Sequence, residues 1–200
     1  MKYISLVAGF VLAISTASPA IAQGVTTTST VITNTINRTT TYPNGKTSTG
    51  TSVITRSGNT TNFNRSTTLP NGKTTNTTGT TTYTNNGNGS FTGTATRTNR
   101  NGEVSNFTVE GQRTRTGDTV TKTGTITNTD TGKQGTFNNS RTCTGGQCSF
   151  NRNFTDAQGK NRNNTGTATR NADGNWTGNF NVTRRNGTTG TGSFTKVRNR

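Results

Sequence analysis

Turn signals return at a nearly constant spacing along this chain, and the spacing limits the folds that it can adopt. One set is centred on glycines 45, 72, 102, 132, 159 and 187, which lie 27 to 30 residues apart. A second set falls between them, at glycines 58, 87, 117, 145 and 174. Asn-Gly and Asp-Gly favour the type I′ hairpin turn, because its central residues need positive φ. Thr-, Val-, Ile- and Phe-rich segments between such turns are typical of strands. The sequence therefore predicts an all-β, repetitive antiparallel meander of about 10–12 strands in ~28-residue hairpin units.

Residues alternate along the predicted strands, so the sheet should have two different faces. Between Thr119 and Thr129 every odd position is Thr. Between Trp176 and Arg184 the even positions are Trp, Gly, Phe, Val and Arg. Since side chains alternate across a strand, one face carries hydroxyls and amides and the other aromatics, small residues and Arg. Arginines on this sparse face are expected at strand ends, with their heads in water.

The sparse face must be covered, and the pattern leaves several ways to cover it. A curled sheet, a sandwich, a barrel-like closure or association with other chains would each do so. A β-solenoid is the alternative, although hairpin-type turns argue against it. An outer-membrane barrel fits the strand length, but Arg97, Arg170 and Arg184 would then lie on its lipid face.

The composition brings the chain close to disorder. After residue 22 it contains 52 Thr and 28 Asn, and only 22% of the whole sequence is hydrophobic. A chain so poor in apolar residues has too little to bury against the entropy of ordering its backbone. A largely disordered polycation therefore remains an alternative, and a folded chain would depend on regular hydrogen-bond ladders, a covalent staple or assembly.

The N-terminus is typical of a secretory signal peptide. Lys2 precedes an apolar run at 4–14, and Ala20-Ile21-Ala22 gives a small-x-small cleavage signal. We expect a signal peptide at 1–22, a Thr-rich segment at 23–37 and a hairpin repeat region at 38–200. The signal peptide resembles those of bacteria, and the expected location of the protein is the periplasm, the cell surface or the extracellular space. No transmembrane segment is predicted after cleavage.

The two cysteines favour a disulfide. Cys143 and Cys148 bracket a turn at Gly145-Gly146, which would place them opposite each other on neighbouring strands. An exported protein meets an oxidising compartment. A metal or redox pair is disfavoured, because the spacing is not Cys-x-x-Cys and the chain has no histidine.

Catalysis is not expected. Histidine, the commonest general base, is missing from the sequence, and the six acidic residues are scattered, mostly beside turns. Neither a phosphate loop nor a dinucleotide fingerprint is present. We therefore predict a non-enzyme without catalytic, metal or cofactor sites.

Positive charge is the strongest hint of a partner. The whole chain carries a formal net charge of +16. Charge of this size attracts anionic polysaccharides or other surface polyanions, without implying sequence-specific nucleic-acid recognition. Four lysines each follow a turn glycine, which would align them along one edge of the sheet. The candidate polyanion contacts are Lys46, Lys73, Lys133, Lys160, Arg184 and Arg185.

Export, repetition and basic charge favour a structural or adhesive component of the cell envelope or extracellular matrix. One alternative is a fibre that self-assembles through open strand edges. Another is a protein that binds ice or another regular surface through its Thr face. The Thr-x-Thr runs, such as 119–129, resemble in pattern the threonine ladders of β-solenoid antifreeze proteins.

Overall fold

The computed structural model describes residues 31–85 and 88–199, so the proposed signal peptide lies outside the described part of the chain. These residues form twelve strands. In chain order the strands are β1 Ile32–Thr41, β2 Thr47–Ser57, β3 Thr60–Thr68, β4 Thr74–Asn85, β5 Asn88–Thr98, β6 Val104–Thr116, β7 Thr119–Asn128, β8 Gln134–Thr144, β9 Gln147–Thr155, β10 Asn161–Arg170, β11 Trp176–Thr183 and β12 Thr189–Asn199. β1 thus includes the last residues of the segment 23–37. Within the described ranges, no helix is long and apolar enough to cross a membrane.

Each strand pairs antiparallel with its neighbours in sequence, and β1 pairs with β12 to close a barrel. The predicted antiparallel meander is confirmed, and closure is how the sheet covers its sparse face. All twelve strands are paired on both sides, so the backbone groups of each strand have partners in two ladders. Closure removes the open edges on which the fibre hypothesis relies.

The alternation sorts side chains as predicted into an outer and an inner set. On β11, Phe180 and Val182 are buried, whereas Asn181 and Thr183 are exposed. On β6, Phe107 and Val109 are buried and Thr108 and Glu110 are exposed. The hydroxyl and amide face is therefore the outside of the barrel, and the aromatics, glycines and arginines of the sparse face point inward.

The turns differ from the expected type. Pro43-Asn44-Gly45 is a three-residue loop, in which the Gly45 N–H donates to the Tyr42 carbonyl oxygen (2.9 Å) and the Tyr42 N–H donates to that of Lys46 (2.9 Å). This pattern indicates a type I turn followed by a left-handed glycine, since Gly45 has φ 73°. It recurs at 69–73, 99–103, 156–160, 171–175 and 184–188. The type I′ prediction was wrong for these Asn-Gly and Asp-Gly turns, because a residue before the pair lengthens the loop.

Two-residue turns occur where glycine comes first. They are Gly58-Asn59, Gly117-Asp118 and Gly145-Gly146, and they connect β2 to β3, β6 to β7 and β8 to β9. Gly145 and Gly146 both have positive φ, 58° and 79°, as a type I′ turn requires.

The main cluster of buried apolar side chains lies on one side of the barrel interior. A cluster of buried side chains extends across β4 to β9 and comprises Tyr83, Phe91, Ala95, Phe107, Val109, Ile126, Phe137 and Phe154. The ring centroids of Tyr83 and Phe91 are 5.3 Å apart, and those of Phe91 and Phe137 are 6.2 Å apart. These separations are normal for favourable aromatic pairs.

Glycine and phenylalanine face each other across neighbouring strands. The pairs directly opposite in register are Phe63–Gly79, Phe91–Gly111, Phe137–Gly124, Phe150–Gly166, Phe194–Gly178 and Phe180–Gly192. At Gly166 the Phe150 ring is so close that a Cβ atom would lie 2.6 Å from its Cζ. The ring therefore covers the backbone that glycine exposes, and glycine lets the strand bend sharply, as barrel closure requires.

Cys143 and Cys148 lie opposite each other on β8 and β9 and form a disulfide, with their Cα atoms 4.1 Å apart. The sequence predicted the same pair of cysteines and the same position across the turn. The bond closes a short loop around the Gly145-Gly146 turn, so it fixes a hairpin that the ladder already orders.

Reducing this disulfide should lower the stability modestly. For a loop this short the chain-entropy model gives about 2 kcal/mol, which corresponds to a fall in Tm of roughly 4–8 °C. Thermal melts followed by circular dichroism, with and without reductant, measure the effect. The control Cys143→Ser/Cys148→Ser should melt at the reduced Tm whether or not reductant is present. A Tm that reductant leaves unchanged would contradict the prediction.

Candidate functional site

The candidate lysines gather at one end of the barrel. Lys46, Lys73, Lys133 and Lys160 are exposed and lie in the β1–β2, β3–β4, β7–β8 and β9–β10 loops, all at the same end. Arg184 and Arg185 belong to the β11–β12 loop of that end, and Arg100, which was not among the contacts predicted from the sequence, to the β5–β6 loop. We call these seven residues the basic rim. The expected row along one edge is a ring because the sheet closes.

Local hydrogen bonds fix the rim loops. The Asn44 side-chain oxygen accepts from the Lys46 backbone N–H (3.2 Å), and Asn71 does the same for Lys73 (3.2 Å). The Asp156 carboxylate accepts from the backbone N–H of Lys160 (2.9 Å). Such Asx contacts are the reason that Asn and Asp suit tight turns. The lysine backbones are held by the turns, while their ammonium groups remain in solvent.

Arg184 and Arg185 have structural contacts that the lysines lack. Arg185 forms an ion pair with the buried carboxylate of Asp156 and so ties the last two rim loops together. The Arg184 guanidinium lies 4.0 Å from the ring centroid of Tyr42, a cation–π distance. Among the candidate contacts, the four lysines are therefore the groups most open to a partner.

The interior of the barrel carries a second set of cations, whose arginines were predicted on the sparse face but at strand ends. On ten of the strands a cationic side chain occupies an inward position of the alternation and is buried or half-buried. These residues are Arg38, Arg56, Arg65, Arg97, Arg113, Lys122, Arg141, Arg152, Arg162 and Lys196. Arg38, Arg65 and Arg152 lie well inside their strands, so the expectation that arginines of the sparse face sit at strand ends was wrong for them.

None of the six acidic residues in the sequence accompanies these cations. Glu110 lies on the outer face of β6. The other five, Glu103, Asp118, Asp130, Asp156 and Asp173, are in or beside loops. The sequence already contains this excess of positive charge, because the inward strand positions carry Arg or Lys on many strands and Asp or Glu on none.

Burial and mutual repulsion lower the pKa values of most interior cations. Burial lowers the pKa of Arg65 to about 10, with repulsion from Arg162, Arg152 and Arg97 acting in the same direction. Burial likewise lowers the pKa of Arg152 to about 10. Guanidinium groups keep their proton at neutral pH. The lowered pKa values therefore mean that these groups stay charged although their environment destabilises the charged form.

Most of the interior cations can be grouped by the half of the barrel in which they lie. Arg38, Arg65, Arg97, Arg152 and Arg162 lie in the half next to the basic rim and repel one another, and Arg152 also repels Arg141 and Lys122 of the other half. We call these five residues the inner arginine cluster. Arg113, Lys122 and Arg141 interact in the other half, where Arg113 and Lys122 are directly opposite in register. Like charges in such positions destabilise a sheet.

Lys122 is the most deeply buried of these cations, with 2% of its surface exposed. Its Nζ hydrogen-bonds the Tyr83 hydroxyl and lies 4.9 Å from the Tyr83 ring centroid. Burial and then the neighbouring arginines hold its pKa well below the usual range. Burial also raises the pKa of Tyr83. The hydroxyl offers the ammonium group a dipole and no full counter-charge.

The outer face has two adjoining concavities, which share Thr39, Thr167, Asn179 and Ser193. Outward threonines, serines and asparagines of β10 to β12 and β1 to β3 line a groove of 560 Å³. The inward positions beneath it are Arg38, Gly50, Ala168, Gly178 and Phe194. The Thr face is therefore curved around the barrel and indented on one side, and its hydroxyl rows do not lie in a single plane.

In the described ranges, His, Cys, Asp and Glu side chains do not group in threes that could hold a metal ion. Comparison of the chain with protein families, with curated proteins and with solved structures found no match.

Proposed function

We propose that this protein is a non-catalytic exported barrel that binds anionic polymers at the cell envelope or in the extracellular matrix as a structural or adhesive component. The basic rim is the observation that carries the proposal. It places four exposed lysine ammonium groups on separate loops around one end of the barrel. A ring of separate point charges suits a polymer with repeated negative groups, whose position along its chain need not be fixed.

The rest of the chain supports a binding role. The net charge of +16 gives long-range attraction to polyanions in addition to local contacts. The stiff barrel holds the rim loops at fixed separations, which reduces the ordering cost on binding. Without histidine, and with its acids dispersed over loops and the outer face, the chain lacks an evident acid–base pair.

Replacing rim lysines should weaken polyanion binding more than replacing other exposed cations. The test compares Lys73→Gln/Lys133→Gln/Lys160→Gln with Arg115→Gln/Arg170→Gln/Arg198→Gln, which removes the same charge at the opposite end of the barrel. The probes are double-stranded DNA, as a polyanion of known charge spacing, and a sulfated polysaccharide. Binding is measured by fluorescence anisotropy at several salt concentrations. For DNA, the slope of log K against log salt should fall by up to about 3, since each lost phosphate contact removes ~0.9.

The control triple variant should retain most of the slope. Equal losses in the two variants would mean that net charge alone governs binding and would overturn the proposed role of the rim. Binding that is insensitive to salt in the unmodified protein would contradict a polyanion partner altogether.

A further inference from the structure

We propose that the indented side of the barrel wall binds an extended neutral glycan, a chain of uncharged sugars that lies across the strands. The site consists of the two adjoining concavities of the outer face, which have volumes of 560 and 540 Å³. We call them together the wall groove. Ligand-binding clefts commonly have volumes of about 300–1,000 Å³. The inference concerns the wall and does not depend on the function proposed for the basic rim.

Two rows of hydroxyl and amide side chains cross the wall groove. Because neighbouring strands pair in register, outward residues of six strands lie directly opposite one another. The second row lies two residues along the strands from the first and extends from Ser66 to Thr169. Neighbouring strands are about 4.8 Å apart, so each row extends over roughly 24 Å. The first row, from β3 to β10, is Thr68, Thr49, Thr39, Ser193, Asn179 and Thr167.

The side chains of the first row are open to a partner. Thr39, Thr49, Thr167, Asn179 and Ser193 are all exposed. Within residues 31–85 and 88–199, none of these five side chains hydrogen-bonds another group of the protein. A hydroxyl both donates and accepts, and an amide offers two N–H donors and a carbonyl oxygen. The row therefore presents donors and acceptors side by side, which is the combination that sugar hydroxyls present in turn.

The lining of the wall groove disfavours other classes of polymer. Every outward residue that lines it in the described chain is Thr, Ser or Asn, and Arg38, the charged residue of the lining, points into the interior. A polyanion would need cationic side chains here. A peptide strand would need an open sheet edge, whereas all twelve strands are paired on both sides. A neutral chain of hydroxyl groups needs neither.

The strand spacing favours an extended glycan over a coiled one. Sugar rings in a β-1,4-linked chain repeat at nearly the distance that separates neighbouring strands, so each ring would meet the hydroxyl or amide of one strand. A chain of six rings would contact all six strands of the row. An α-1,4-linked chain coils and keeps fewer rings in the row. Since one hydrogen bond to an exposed group contributes little, the affinity should depend on how many rings make contact.

The first test is isothermal titration calorimetry of the purified protein with cellohexaose, chitohexaose and maltohexaose, which are all neutral. We expect the first two, whose chains are extended, to bind equally well at low and high salt. Maltohexaose should bind about tenfold more weakly or less, because it loses two or more hydrogen bonds. The affinity should rise from the disaccharide to the hexasaccharide and then level off. No binding of either extended chain, or equal affinity for maltohexaose, would overturn the proposal.

Variants locate the glycan on the wall. Thr39→Val/Thr49→Val/Thr167→Val removes three hydroxyls and nearly keeps the shape of each side chain, so the affinity for cellohexaose should fall about tenfold or more. The rim triple variant should keep full affinity. Binding that only the rim triple variant loses would place the glycan at the rim and refute the site.

The matched control makes the same change on the other side of the barrel. Thr94→Val/Thr108→Val/Thr136→Val alters exposed positions of β5, β6 and β8, which line neither concavity. This control should bind cellohexaose as the unmodified protein does. Equal losses in the groove variant and the control would contradict recognition by the wall groove.

A single substitution covers the case in which the groove variant does not fold. Ser193 lies where the two concavities adjoin. Ser193→Ile places there a bulky side chain that strands accept well, so cellohexaose binding should be lost. Unchanged binding would refute the site. Analytical ultracentrifugation of the unmodified protein should show a monomer, and a dimer that Ser193→Ile dissociates would mean that a second copy of the chain fills the wall groove and would overturn the proposal.

Discussion

Replacing Gly166 by alanine should destabilise the barrel strongly, although the change adds a single methyl group. A Cβ atom at this position would lie 2.2 Å from the backbone carbonyl oxygen of Asn179 and 2.6 Å from Cζ of Phe150. The nearer atom belongs to the backbone of β11, so the clash is relieved only if two paired strands separate. Overpacking of this kind costs about 3 kcal/mol or more, which lowers the Tm by roughly 6–12 °C.

The neighbouring position offers a matched control. Thr167 lies next along β10 and is exposed on the outer face, so Thr167→Ala should change the stability by about 0.5 kcal/mol or less. Adding Phe150→Leu to Gly166→Ala should fail to restore stability, because the Asn179 carbonyl oxygen stays in place. Melts by circular dichroism measure all three variants. A Gly166→Ala protein that melts within about 2 °C of the unmodified one, well below the expected shift, would refute the role given to these Phe–Gly pairs.

The sequence predicted those parts of the fold that depend on local chemistry. Turn glycines at regular spacing and strict alternation in segments such as 119–129 were enough for the strands, their order and their two faces. The facing cysteines followed from the Gly145-Gly146 turn between them. Barrel closure was not predictable in this way, since a curled sheet and a sandwich satisfy the same alternation. Closure depends on long-range pairing between β1 and β12, which are far apart in sequence.

The basic rim and the interior cations also differ in how far the sequence could predict them. The rim lysines were found because each follows a turn glycine, and all such turns of a meander share one edge. The interior arginines were predicted on the sparse face but not as a cluster, because a lone arginine among apolar residues is usually near a strand end. Arg38, Arg65 and Arg152 become a cluster only once β1, β3 and β9 face a common interior. Inward charges of one sign on many strands come together only because the sheet closes into a barrel.

Raising the pH should stabilise this protein, and Lys122→Met should reproduce part of that gain at neutral pH. Burial lowers the folded-state pKa of Lys196 to about 8, against 10.5 when unfolded, and places that of Lys122 well below the same reference. Between pH 8 and 10.5 the unfolded chain therefore binds more protons than the folded one, so stability rises with pH. Lys196, which is half-buried, contributes about 3 kcal/mol at most over this window.

Lys122→Met preserves the volume of the side chain and removes a buried charge. We expect about 1–3 kcal/mol of stabilisation at pH 7, reduced because the Tyr83 hydroxyl loses its partner. The exposed control Lys73→Met should have no measurable effect. Urea unfolding at pH 7, 8, 9 and 10 tests the prediction, and the range stops at 10 because the raised pKa of Tyr83 opposes the trend above it. Stability that falls steadily from pH 7 to 10 would show that counter-charges already neutralise the interior cations, and a destabilised Lys122→Met would show that the ammonium–hydroxyl contact outweighs the cost of the buried charge.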